Sequence, residues 1–144
     1  MLLSKEIAVY LNLAACKLKL YTATMLRQNR IDLTPEQFLL TDLLWNQGPM
    51  SQQKMADLMH KDKNSITKLA NALEAKGMIV REKDSEDRRS NLLVLTPKAE
   101  ELKNEAKEKG IYMLDRMLEG ISEKELKNFL DTLNKMSVNI DRLI

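Results

Sequence analysis

The sequence predicts a mainly α fold that carries one small β-hairpin. Three observations predict it. Apolar residues recur at helical spacing along most of the 144 residues. That spacing gives way only once, to two short segments rich in Ile, Val and Leu on either side of a polar turn. Capping residues, prolines and glycines fall at the ends of the periodic stretches, where helices must start and stop. Hydrophobic residues make up 44% of the chain and charged residues 31%, which is too apolar for disorder and ordinary for one globular domain. Aromatics are only 4%, so the core is aliphatic, built from Leu, Ile, Val, Ala and nine Met. Unbranched side chains of this kind lose little freedom in a helix.

Taken in order, Ile7, Leu11, Ala14, Leu18 and Met25 define an amphipathic first helix over residues 4–28. A polar stretch at 29–33 breaks it. Thr34-Pro35-Glu36-Gln37 opens the second helix: Thr34 caps, Pro35 suits the first helical position, and Gln37 completes a capping box. Phe38, Leu39, Leu43, Leu44 and Trp45 are its expected buried side, and Gly48-Pro49 ends it. Ser51 caps a short third helix with Met55, Ala56, Leu58 and Met59 inside. His60-Lys61 is a tight turn. Asp62 caps a fourth helix whose inward face is Ile66, Leu69, Ala70 and Leu73, and Gly77 stops it. Residues 79–83 and 91–96 form the hairpin around the polar turn at 84–90. Thr96-Pro97 starts a long helix to about residue 118. Ser122-Glu123-Lys124-Glu125 is a second capping box, opening a last helix with Leu126, Phe129, Leu130, Leu133, Met136, Ile140 and Leu143 on one stripe.

Composition also removes several function classes. The net charge of +2 is no signature of an indiscriminate polyanion binder, so any nucleic-acid reading must rest on where charges sit. The single cysteine, Cys16, cannot form an internal disulfide. No apolar run approaches the ~20 residues of a membrane span, and the N-terminus lacks a basic-then-apolar leader, so a cytoplasmic, non-membrane protein is expected. One His and one Cys, with no recognisable spacing between them, leave little room for nucleophilic or metal chemistry. With four Gly there is no phosphate-cradling loop. No enzyme activity, cofactor or metal is expected. His60 alone is no metal site, and Cys16 is more simply an inert thiol than a redox sensor.

The informative unit runs from Ser51 to Thr96: helix, tight turn, helix, hairpin. Two helices joined by a turn form a helix-turn-helix whose second helix can enter the DNA major groove. On that helix Asn64, Thr67, Lys68 and Asn71 lie opposite the apolar face, flanked by Lys63 and Ser65, with no carboxylate near its N-terminal half. Asn can pair with adenine edges, Lys with guanine or phosphate, and Thr with phosphate or a thymine methyl. The hairpin tip carries Asp87-Arg88-Arg89. An arginine there can enter the minor groove, and Asp87 can brace the guanidinium of Arg89. A solvated polar helix and a solvated charged turn are the plainer readings of the same residues.

At this point the chain resembles the multiple-antibiotic-resistance regulator (MarR) family of winged helix-turn-helix transcription regulators. Residues 69–81, Leu-Ala-Asn-Ala-Leu-Glu-Ala-Lys-Gly-Met-Ile-Val-Arg, look like the end of that family's recognition helix and the entry to its wing. Residues 84–96, Asp-Ser-Glu-Asp-Arg-Arg-Ser-Asn-Leu-Leu-Val-Leu-Thr, look like its wing, with an Asp and an Arg two apart and a closing Leu-Thr. The order of elements matches over essentially the whole chain. The resemblance implies recognition-helix contacts at Ser65, Thr67 and Lys68, with Lys68 where arginine is common, and a wing pair at Asp87 and Arg89. It further implies one domain over 1–144, with a DNA-binding unit at 34–96 and long terminal dimerisation helices at 1–30 and 97–144.

The apolar stripes at both ends of the chain favour self-association independently, since a long exposed stripe is costly in a monomer. The expected partners are therefore double-stranded DNA and a second copy, with an unidentified small-molecule effector as a further partner implied by the family. Trp45, Phe38 and the Met residues either line an effector pocket or are simply core. The full candidate DNA-contacting set is Ser51, Lys63, Asn64, Ser65, Thr67, Lys68, Asn71, Asp87, Arg88 and Arg89. The competing reading is a winged-helix module that binds protein and not DNA, because a fold does not fix a function. RNA binding is disfavoured, as no aromatic stacking platform is present.

Overall fold

The structure, a computed structural model, describes residues 2–144. The elements are α1 (Leu2–Gln28), α2 (Pro35–Gln47), β1 (Met50–Ser51), α3 (Gln52–Met59), α4 (Lys63–Ala75), β2 (Ile79–Lys83), β3 (Asn91–Leu95), α5 (Pro97–Met117) and α6 (Glu123–Leu143). The chain divides into two compact units, one ending at Lys109 and the other spanning Gly110–Ile144, so the division falls inside α5.

Local chemistry sets the helix starts. Thr34 accepts from the Gln37 amide at 3.2 Å, while Gln37 Oε1 accepts from the Thr34 amide at 3.1 Å, so the capping box is complete. Ser51 and Asp62 cap α3 and α4 through the amides of Lys54 (3.1 Å) and Ser65 (2.7 Å). At α6 the Ser122 hydroxyl accepts from the Glu125 amide, but it donates to the Glu125 carboxylate, so only half of the expected box forms.

Three helix ends share one stop. After α1 the Arg30 amide donates to Arg27 O and the Ile31 amide to Leu26 O. After α3 His60 and Lys61 repeat the pattern on Asp57 O and Ala56 O, and after α4 Gly77 and Met78 repeat it on Glu74 O and Leu73 O. This is the paired bonding of a Schellman motif, which needs one left-handed residue. Arg30 (φ 56°), His60 (φ 52°) and Gly77 (φ 73°) supply it, and only the last is free of a Cβ penalty.

The sheet has three strands in the order β1-β3-β2, all antiparallel. β2 and β3 pair from Ile79 opposite Leu95 to Lys83 opposite Asn91. β1 sets Met50 opposite Leu93 and Ser51 opposite Leu92. This third strand was not expected from the sequence, because two residues carry no periodicity.

Leu26, Leu40, Met55, Ile66, Leu73, Ile79 and Leu93 are fully buried and form the core of the first unit. The expected inner face of α2 is corrected. Gln37, Leu40, Thr41, Leu44 and Trp45 are buried, whereas Leu39 is exposed and Phe38 and Leu43 are half-buried. Apolar residues surround this helix, so spacing alone cannot choose its face. Ile31 and Leu33, within the stretch expected to be a polar break, are also buried. α6 buries none of its residues fully.

Candidate nucleic-acid interface

α3, the His60–Asp62 turn and α4 form the helix-turn-helix, and β2, β3 and the turn between them form the wing. Ile66, Ala70 and Leu73 of α4 are fully buried, which fixes the rotation of the helix and turns Lys63, Asn64, Lys68 and Asn71 to solvent. Ser65 and Thr67 are half-buried. Ser51 is also half-buried, with its hydroxyl committed to the α3 cap. The Asp62 carboxylate, held by the Ser65 amide and hydroxyl, has its pKa lowered, so it stays ionised at the start of α4.

The wing tip is built by short bonds. Asp84 accepts from the Glu86 amide at 2.9 Å and Asp87 from the Arg89 amide at 3.0 Å, which closes two side-chain turns in succession. Asp87 also sits 3.5 Å from Arg89 Nε, while the Arg89 side chain remains 94% exposed. Asp87 thus aims Arg89 without covering it. An exposed pair of this kind adds little stability, so its effect lies in orientation. Arg88 is likewise exposed.

One residue of the candidate interface carried no expectation from the sequence. Arg81 reaches from β2 under α4, its side chain only 18% exposed. It donates to Glu74 Oε2 at 3.1 Å, to Asn71 Oδ1 at 2.7 Å and to Gln52 Oε1 at 3.4 Å. Strand alternation carried the signal. Arg81 shares a face with buried Ile79 and pairs with buried Leu93, and a cation on the inward face of a strand needs partners.

Of the residues named as pocket candidates, Trp45, Met25, Met50, Met55, Met78 and Met113 are core, whereas Phe38 is half-buried and Met117 exposed. The Trp45 indole N–H donates to Ala99 O at 3.1 Å, and Phe38 meets Trp45 edge-on at 6.0 Å. An open cleft of about 710 Å³ lies elsewhere in the first unit, where Arg30, Lys76 and Lys98 stand beside Asp32, Glu101 and Glu105 over an apolar floor that includes Leu33 and Met78. Cys16 is exposed on α1. Among the described residues no group of three His, Cys, Asp or Glu could hold a metal, and no helix is long and apolar enough to cross a membrane.

The MarR family profile matches residues 33–90, the helix-turn-helix with most of the wing. Over 126 residues the chain is 31% identical to the HTH-type transcriptional regulator YdgJ of Bacillus subtilis, an alignment covering 87% of this chain and 72% of that one. The chain belongs to the MarR family. Its MarR fold superposes on the MarR/EmrR family transcriptional regulator from Acinetobacter sp. ADP1 with a TM-score of 0.87 at 25% identity, covering 96% of this chain and 97% of that one. It also superposes on Streptococcus pneumoniae FabT, solved in complex with DNA, with a TM-score of 0.78 at 22% identity and coverage of 98% and 99%. The protein is therefore a MarR-family transcription regulator with a winged-helix fold.

Proposed function

We propose that this MarR-family protein is a homodimeric repressor that binds a pseudo-palindromic operator in duplex DNA. The observation that carries the reading is the pairing of two projections from one compact unit. These are the exposed edge of α4 at Lys63, Asn64 and Lys68, whose nearby carboxylate is the Asp62 cap, and the wing-tip Arg89 held by Asp87 at 3.5 Å and otherwise exposed. α4 lies in the major groove, with Ser65, Thr67 and Asn71 beside those three. Arg89, flanked by Arg88, enters the adjacent minor groove, whose negative potential favours a guanidinium. Ser51 holds the N-terminus of α3 near the phosphates. FabT, of the same fold, was solved bound to DNA, which supports this use of the unit.

The unit at 34–96 does the reading, and the flanking helices at 1–30 and 97–144 bring two copies together. The support is the exposed apolar surface on α1 and α6, including Leu3, Leu13, Phe129, Leu130 and Ile140. A two-fold pair sets the recognition helices roughly 34–36 Å apart, one turn of DNA. Repression follows from occlusion of a promoter. An effector acts by changing the spacing of the two reading units, and the open cleft near Lys76 and Lys98, whose cations are matched by Asp32, Glu101 and Glu105, is its candidate seat. The protein works in the cytoplasm, without catalysis.

The test is selection from a random duplex pool, followed by fluorescence anisotropy at two salt concentrations with wild type and Arg89→Ala. A selected pseudo-palindrome, bound about 1–3 kcal/mol more weakly by the variant, is expected. No selection and no effect of Arg89 overturns the reading and turns attention to a protein partner on the same face.

A further inference from the structure

The guanidinium of Arg81 does more than join β2 to α4, because it fixes the direction of every hydrogen bond around it. Arg is a donor only, so each atom facing it must be an acceptor. Asn71 therefore turns its Oδ1, not its Nδ2, towards Arg81, at 2.7 Å. Gln52 turns Oε1 to Arg81 Nε at 3.4 Å, which leaves its Nε2 to donate to Thr67 Oγ1 at 3.2 Å. The Thr67 hydroxyl, already accepting from Gln52, donates its own proton to Lys63 O at 2.9 Å. A fourth bond, from Arg81 Nη2 to Thr67 O at 3.5 Å, ties the same turn of α4 to the strand.

The consequence concerns what α4 can say to a base. The Thr67 proton is spent on Lys63 O and one lone pair of its oxygen on Gln52, so the hydroxyl has no donor to offer a base and the methyl group becomes the residue's main recognition element. Asn71 retains its Nδ2 protons, while its oxygen holds a charge-assisted bond to a guanidinium that is 18% exposed. An Asn–adenine pair needs that oxygen to accept from N6 while Nδ2 donates to N7. Swinging the amide out to do so takes from a largely buried cation its shortest bond and leaves it Glu74, Gln52 and Thr67 O as partners, a loss that offsets part of what a bidentate base contact contributes.

We propose that Arg81 is a positioning residue that sets the base preference of the recognition helix, presenting Thr67 as a methyl group and Asn71 as a donor. This rests on the reading of α4 as the DNA-reading helix. Thr67 then faces a thymine C5-methyl. Asn71 favours an edge made of acceptors only, guanine O6 and N7 or thymine O4, over adenine, to which it can donate at N7 but from whose N6 it does not accept.

The experiment starts from the operator selected by wild type. Each thymine is replaced in turn by uracil, which removes only the C5-methyl, and binding is compared for wild type, Thr67→Val and Thr67→Ser. One thymine in each half-site is expected to show a penalty of about four-fold, the worth of one buried methyl. Thr67→Val keeps that penalty and Thr67→Ser erases it. Selection is then repeated with Arg81→Met, after circular dichroism has shown the variant folded, and adenine is expected to enter at the position facing Asn71. If no thymine shows a methyl penalty that depends on Thr67, or if Arg81→Met selects the wild-type site with uniformly weaker binding, the inference is overturned while operator binding stands. Should Arg81→Met fail to fold, the uracil series alone decides. If wild type selects no sequence at all, the DNA-reading function itself falls, and this inference with it.

Discussion

α4 and α6 are both amphipathic, yet they end in opposite circumstances. In α4, Ile66, Ala70 and Leu73 are at 0% exposure. In α6 the stripe is longer and more apolar, but Phe129, Leu130 and Ile140 are each more than half exposed and none of its residues is fully buried. The difference teaches what periodicity encodes. An apolar stripe says that a face is to be covered, and is silent on whether the cover comes from the same chain. α4 is covered by its own chain, and its rotation, hence its outward edge, is fixed by folding. The stripe of α6 is left for a second copy under the dimer proposal, and an aliphatic surface of this kind is costly to leave in water.

Substitutions in the two stripes should act on different equilibria. Ile66→Ala in α4 is expected to lower the unfolding free energy by about 2–5 kcal/mol, since a fully buried branched side chain leaves a cavity. Leu130→Asp in α6 is expected to abolish dimers in sedimentation, and with them the rise of melting temperature with protein concentration that a folded dimer shows. Urea melts at two protein concentrations separate the two variants. If Leu130→Asp remains dimeric, the stripe of α6 is not the interface and the contrast drawn here loses its meaning.

A smaller effect concerns how the helices of the reading unit stop. α3 and α4 end in the same hydrogen-bonded motif, but α4 places Gly77 at the left-handed position and α3 places His60 there, at φ 52°. A residue with a Cβ carries a penalty of about 1–2 kcal/mol in that conformation, partly offset because Gly loses more freedom on folding. His60→Gly is therefore expected to stabilise the protein by up to about 1 kcal/mol in thermal or urea melts. A loss of stability instead would mean that the imidazole makes a compensating contact in the turn.

How much of this was legible in the sequence depended on the range of the interaction. Thr34, Ser51, Asp62 and Ser122 could be named as caps because each accepts from an amide only three residues away. The hairpin and the Asp87–Arg89 pair were legible for the same reason. β1 was not, since its pairing with β3 spans some forty residues and only two residues take part. Nor was the face of α2, where Gln37 and Thr41 go inside and Leu39 stays out; Thr41 is accommodated by donating to Gln37 O. At the interface the exposed set on α4 could be read from its rotation. The network through Gln52, Thr67, Asn71 and Arg81 could not, because it joins three elements. The expectation of adenine pairing at Asn71 thus took no account of its bond to Arg81.

The two helices also differ, more subtly, in how their N-terminal caps respond to pH. Asp62 caps α4 and Ser122 caps α6, and only the first can titrate. The bond from the Ser65 amide, then that from the Ser65 hydroxyl, lowers the Asp62 pKa in the folded protein. A depressed folded pKa means that the cap's contribution is complete above the usual aspartate range. It is lost as pH falls through the lower folded value, where the protonated carboxyl accepts more weakly. Acid should therefore loosen the first turn of α4, the end that bears Lys63, Asn64 and Ser65, before global unfolding. The measurement is amide exchange at Ser65 relative to its intrinsic rate, against Glu125 at the start of α6. Protection at Ser65 is expected to fall first as pH is lowered, and Asp62→Ser, whose hydroxyl caps without titrating, is expected to remove that pH dependence. Equal loss at both amides would show that acid acts on the whole fold and that the charged cap adds nothing particular to the recognition helix.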